Sequence, residues 1–233
     1  MKRRDFVRAC AAAAGGAALP SPAQAAALTA RMYSRAKLVN AHGDPLRVAG
    51  LEAGRNYVFD YPYAATPCFL LRLRERPPGG VDLKTETGSI YRWDGGIGPG
   101  RDLVAYSAIC AHKMTYPTKQ VSFIGYRDEP SPAAGRGRVI ACCSDRSVYD
   151  PAAGAKVVSG PAPQPLCTIL LEHDPKADEV YAVGTFGGEM FSEFFRKYEF
   201  RLQLEQGARA KNAVEGTAVV RELEKYSTQW AKC

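Results

Sequence analysis

Histidine is scarce. The 233 residues hold three, His42, His112 and His173, and none lies between His112 and His173, so two neighbouring imidazole ligands are not available from that stretch. Long apolar runs are absent after residue 25: nothing there approaches the roughly 18 consecutive apolar residues that a spanning helix needs. An excess of one charge is also missing. Lys2, Arg3, Arg4 and Arg8 against Asp5 place +3 of the formal +7 in residues 1–25, and the remaining +4 is too mild to argue for nucleic acid. What is present, 46% apolar residues, is enough to bury the core of one ordinary domain.

The first 25 residues differ from the rest. Their basic start runs into a weakly apolar Ala/Gly stretch that ends at Ala23-Gln24-Ala25, a small-x-small cleavage pattern. Arg3-Arg4-Asp5-Phe6-Val7 supplies the paired arginines of a twin-arginine signal, which implies a periplasmic destination. That route carries proteins already folded around their metal cofactors, so it favours a redox centre. Of seven cysteines Cys10 leaves with the signal. The other six, Cys68, Cys110, Cys142, Cys143, Cys167 and Cys233, form an even set that in an oxidising compartment would suit disulfides. Cys68 and Cys167 fall in apolar runs and read as core residues, while Cys233 could pair or stay free.

From Ala36 onward the chain reads as many short strands, which predicts an all-β, antiparallel sandwich or barrel-like domain over 36–185. The runs are 37–39, 57–59, 68–71, 103–106, 121–124, 139–140, 156–158, 168–171 and 180–183. A Gly/Pro/Ser-rich stretch over 130–137 interrupts them and reads as a surface excursion, and 126–137 reads as an insertion. After Gly187-Gly188 the period changes. Phe191, Phe194, Phe195, Tyr198 and Leu202 share one helical face, and Val219, Leu223, Tyr226 and Trp230 predict a second helix, so 188–233 reads as a C-terminal helical extension. Such helices either pack back on the sheet or serve as a docking arm. His173, beside Asp174-Pro175, reads as part of a surface turn.

Three segments carry the chemistry: Cys110-Ala111-His112, Cys142 to Asp150, and Gly160-Pro161-Ala162-Pro163. A C-x-H pair at a strand end aims a thiolate and an imidazole at a common point, and a second turn with a thiolate completes the positions around two irons. In order and setting the segments resemble the Rieske [2Fe–2S] family, in which C-x-H and C-x-x-H loops hold the cluster and a Pro-rich loop covers it. Gly98 to Cys110, with Tyr61-Pro62 and Pro67-Cys68, is similar more particularly to the small subunit of arsenite oxidases. The resemblance spans about Val39 to Glu172, with the cluster-binding part at about 105–165. It implies Cys110, His112 and Cys142 as ligands of a [2Fe–2S] cluster, Ser147 and Tyr149 as hydroxyl donors to its sulfurs, and Gly160-Pro161 as the cover. The family's two stapling cysteines correspond to Thr115 and Ser144, so that disulfide is absent.

The fourth ligand departs from the pattern. Registering Ser147-x-Tyr149-Asp150 puts Asp145 in the slot of the second histidine, and a carboxylate can bind ferric iron. A register slipped by one offers Arg146, which stays protonated and cannot ligate. The vicinal pair Cys142 and Cys143 is a third solution, and a cluster-free fold acting as a binding module is a fourth.

The function implied is one-electron transfer in the periplasm, as a subunit or partner of a larger oxidoreductase or of a c-type cytochrome. A quinol-oxidising role fits less well, because it relies on an exposed histidine ligand and one histidine is lost. Export through the twin-arginine route predicts that Arg3-Arg4→Lys-Lys removes the mature protein, starting at Ala26, from the periplasmic fraction. An unchanged periplasmic yield would contradict that assignment.

Overall fold

The structure, a computed structural model, describes residues 28–132 and 134–233. The signal of residues 1–25, with Cys10, lies outside them.

One eight-stranded sheet forms the body. Its members are β1 (Arg31–Val39), β2 (Tyr57–Asp60), β3 (Pro67–Arg72), β6 (Leu103–Ser107), β12 (Thr168–Asp174), β13 (Glu179–Phe186), β14 (Gly216–Val219) and β15 (Arg221–Glu222). They lie in the order β14-β1-β13-β12-β6-β3-β2-β15. Only Val220 separates β14 from β15, yet they occupy opposite edges of the sheet, so the sheet must curl until its edges meet. The result is barrel-like, antiparallel except where β14 runs parallel to β1. Leu38, Phe59, Tyr61, Leu70 and Leu103 fill its interior.

A second, four-stranded sheet carries the chemistry: β8 (Ile124–Arg127), β9 (Val139–Cys142), β10 (Val148–Asp150) and β11 (Lys156–Ser159), in the order β11-β10-β9-β8. A hairpin of β4 (Val81–Lys84) and β5 (Ile90–Trp93) completes this end. Val58, Phe69, Tyr106, Ile124, Ile140 and Tyr149 form the core in which the small sheet meets the barrel, and Cys110 and Cys142 belong to it.

The all-β expectation holds, with two corrections. The run 121–124 breaks at Phe123 into β7 (Val121–Ser122) and β8, because the Ser122 hydroxyl turns to donate to the Ile124 carbonyl at 2.6 Å. The expected second C-terminal helix over Val219 to Trp230 does not form. β-Branched Thr217 and Val219 join the sheet in β14, the Val220 N–H donates to the Val39 carbonyl at 2.7 Å, and β15 follows. A single turn remains helical, α3 (Leu223–Tyr226), before β16 (Gln229–Trp230) pairs parallel with β7. The C-terminal segment is therefore part of the sheets rather than a helical extension of them.

The first helical face does form, as α1 (Phe191–Lys197) and α2 (Glu199–Gln206). Phe191, Phe194, Phe195 and Leu202 are buried against Ile109, Met114 and Tyr116, so the helices pack on the segment that follows β6. Tyr116 stands edge-on to Phe194 with ring centres 4.9 Å apart. No helix among the described residues is long and apolar enough to cross a membrane. Truncating the fully buried Phe194 to alanine removes the centre of this contact. It should cost roughly 3 kcal/mol or more by denaturant unfolding; a loss below about 1 kcal/mol would show that α1 does not brace this segment.

Candidate metal centre

Two turns of the same design hold the donor residues. In the first, the Cys110 N–H donates to the Thr115 carbonyl at 2.8 Å and the Met114 N–H returns to the Cys110 carbonyl at 2.9 Å. In the second, the Cys142 N–H donates to the Ser147 carbonyl at 2.9 Å and the Arg146 N–H returns to the Cys142 carbonyl at 2.8 Å. Each turn closes with a residue in the left-handed region, Met114 at φ 57° and Arg146 at φ 62°. Two strand ends thereby present one cysteine each toward a shared space between the sheets.

The donor atoms of Cys110, Cys142 and Asp145 lie within 4.8 Å of one another. Asp145 Oδ2 accepts from the Cys110 thiol at 3.3 Å and lies 3.1 Å from Nδ1 of His112. Its other oxygen accepts the Ser147 N–H at 2.9 Å, which fixes the carboxylate inward. The Asp145 side chain is only 2% exposed, whereas that of His112 is 35% exposed, so the imidazole forms the solvent edge of the group. The Tyr149 hydroxyl sits 3.2 Å from Cys110 Sγ and accepts the Ala111 N–H at 3.1 Å.

Crowding governs the protons here. A hydrogen bond from the Cys142 thiol draws the Cys110 thiol below its usual range against the opposing effect of burial, and the same contact, aided by burial, pushes Cys142 up. Burial works against ionisation of Asp145, but the bonds from Ser147 and Cys110 outweigh it and hold the carboxylate below its ordinary range. Burial raises the Tyr149 hydroxyl, which keeps it a proton donor.

Gly160 lies over the second turn. At φ 88°, an added Cβ would meet the Arg146 carbonyl oxygen at 2.4 Å and Ser147 Cα at 2.6 Å, so only glycine permits this approach. Exposed Pro161 follows it at the rim. Ser147 Oγ is buried without a hydrogen-bond partner.

Cys143 is corrected. Its sulfur is bonded to Cys233 across 90 residues, so it offers no thiolate, and the vicinal-cysteine ligand set falls. The bond ties the second turn to the C-terminal strand. There Arg127 stacks on Trp230 at 4.4 Å and donates to Cys143 Sγ at 3.3 Å and to the Ala231 carbonyl. Sequence reading missed this strap; the signal available was Cys233, left over once the core cysteines were set aside. Arg146 is exposed and borders the group without entering it. Cys68 and Cys167 are buried in the core, as expected. His173 is corrected: it lies within β12 opposite Val180 rather than in a surface turn, and its ring pairs with Asp178 at 2.8 Å. A cleft of about 720 Å³ beside Arg127 and Trp230 is lined by none of the donor residues.

No family model matches the chain. Among solved structures it is similar to the soluble domain of the Rieske protein II (soxF) from Sulfolobus acidocaldarius, at 25% identity and a TM-score of 0.45, over 66% of this chain and 78% of that one. The donor group is defined by its own geometry, independently of that likeness.

If Cys110, Cys142 and Asp145 form a metal centre, Cys110→Ser abolishes iron binding while Cys167→Ser, a change in the core, leaves it intact. Iron determined by mass spectrometry on exported protein checks this. Equal loss in both variants would mean the donor set is misassigned.

Proposed function

We propose that the chain is a Rieske-type electron-transfer protein whose [2Fe–2S] cluster is held by Cys110, Cys142, His112 and Asp145. The observation that carries the reading is the meeting of two thiols and a carboxylate within 4.8 Å, with the His112 imidazole on that same carboxylate. Bound there, the cluster supplies reversible one-electron transfer. The chain's residues do the rest. Cys110 and Cys142 give buried thiolates, Asp145 replaces an imidazole by a carboxylate, and His112 keeps one ligand at the surface. The Tyr149 hydroxyl, 3.2 Å from Cys110 Sγ, is one donor to sulfur; in this reading Ser147 is the other, and Gly160-Pro161 is the cover that limits the access of water.

Residues 1–25 support export to the periplasm. Resemblance to the small subunit of arsenite oxidases supports a place beside a larger oxidoreductase, with a c-type cytochrome as electron acceptor; it does not make arsenite the substrate. A second reading, a cluster-free binding module, draws on the bonds that Asp145 already makes to Cys110 and His112.

Substitution of Asp145 separates the readings. Asp145→Ala loses the visible and paramagnetic signature of the cluster, while Asp145→His keeps it. Replacing a carboxylate by neutral imidazole removes one negative charge, which favours the reduced state, so the midpoint potential of the histidine variant rises. An unchanged spectrum and full iron in Asp145→Ala would contradict the proposed ligand set.

A further inference from the structure

Arg127, the last residue of β8, is a buried cation without an acid. It is only 6% exposed, and a guanidinium stays protonated in a protein. Buried arginines are ordinarily paired with a carboxylate. Among the described residues Arg127 takes part in no ion pair. Burial pushes its guanidinium below the ordinary range, and no neighbouring acid offsets that effect. Nη2 donates to the Ala231 carbonyl and, at 3.3 Å, to Cys143 Sγ, both neutral acceptors. Nε is enclosed without a partner, and Nη1 makes no hydrogen bond among the described residues. Trp230 lies 4.4 Å from the guanidinium, which softens the charge without neutralising it.

This cation lines the cleft of about 720 Å³, a volume within the roughly 300–1,000 Å³ of small-molecule sites. Tyr126, Pro130, Leu223 and Trp230 give the cleft apolar walls. Its charged walls balance: Arg55, Arg74, Arg127 and Lys232 face Glu52, Asp128, Glu129 and Glu224. Asp128 is taken by Arg74 and Glu52 by Arg55, while Glu129, Glu224 and Lys232 are exposed to water. Attraction for an anion is therefore local to Arg127, where charge is both buried and unmatched, and does not come from a field over the whole opening. We propose that this cleft binds a small organic carboxylate, with its anionic head on Arg127 and its apolar body against Leu223 and Trp230. A hydrogen bond between two charged groups is about twice as strong as a neutral one, and an apolar body adds the burial that a bare inorganic anion lacks. None of the cluster donors lines the cleft, so the inference stands apart from the electron-transfer reading.

Phenylacetate is the probe, with phenylacetamide as its neutral counterpart of the same shape. Each is titrated by isothermal calorimetry into the full exported protein at neutral pH. The carboxylate binds about tenfold more tightly than the amide, the preference that one charge-assisted bond supplies. Arg127→Gln, which keeps an N–H donor near the Ala231 carbonyl but removes the cation, loses that preference and leaves the two probes equal. Lys84→Gln, which removes an exposed cation on the β4–β5 hairpin outside the cleft, keeps it. The comparison of the two probes in the unaltered protein does not depend on how well Arg127→Gln folds. No binding of phenylacetate, or equal affinity for the two probes in the unaltered protein, overturns the site. A preference that survives in folded Arg127→Gln, or that disappears in Lys84→Gln, overturns it as well.

Discussion

Two thiols and a carboxylate crowded into 4.8 Å of buried space are the constraint on which the rest of the structure depends. Each is most useful as an anion, and burial penalises every negative charge added. The three are joined by hydrogen bonds: Cys110 donates to Asp145, the Cys142 thiol bonds toward Cys110, and His112 closes the outer side. A polycationic centre would replace those protons and relieve the crowding. The paired turns, the Tyr149 hydroxyl and the close approach of Gly160 all keep these donors near one another.

Each turn has its own brace, and the braces differ. The first turn rests on the aromatic face of α1 and α2, through Met114 and Tyr116. The second is held from behind by the C-terminal strand, with Trp230 close over Gly125, Arg127 stacked on Trp230, and the Cys143–Cys233 bond. The two turns thus have separate supports, one apolar and one covalent. A consequence is that Cys143, beside a proposed ligand, is structural.

Much of this was legible because short-range patterns encode it. Leu103 to Tyr106 reads as a strand and Cys110-x-His112 follows it at once, so the first half of the site could be placed from spacing. Asp145 was legible only by register against Ser147 and Tyr149, which its inward bond to the Ser147 N–H accords with. The C-terminus was not legible. Val219, Leu223, Tyr226 and Trp230 have helical spacing, but the partners that decide the outcome, β1, β2 and β7, lie far away in sequence. Pairing of Cys143 with Cys233 across 90 residues depends on the same long-range geometry.

Pulsed electron paramagnetic resonance on the dithionite-reduced, exported protein tests the central claim most directly, because it counts the nitrogens bound to iron. A cluster held by two cysteines, His112 and Asp145 gives a [2Fe–2S] signal with a single strongly coupled nitrogen. Two coupled nitrogens, or no iron–sulfur signal at all, would contradict the account.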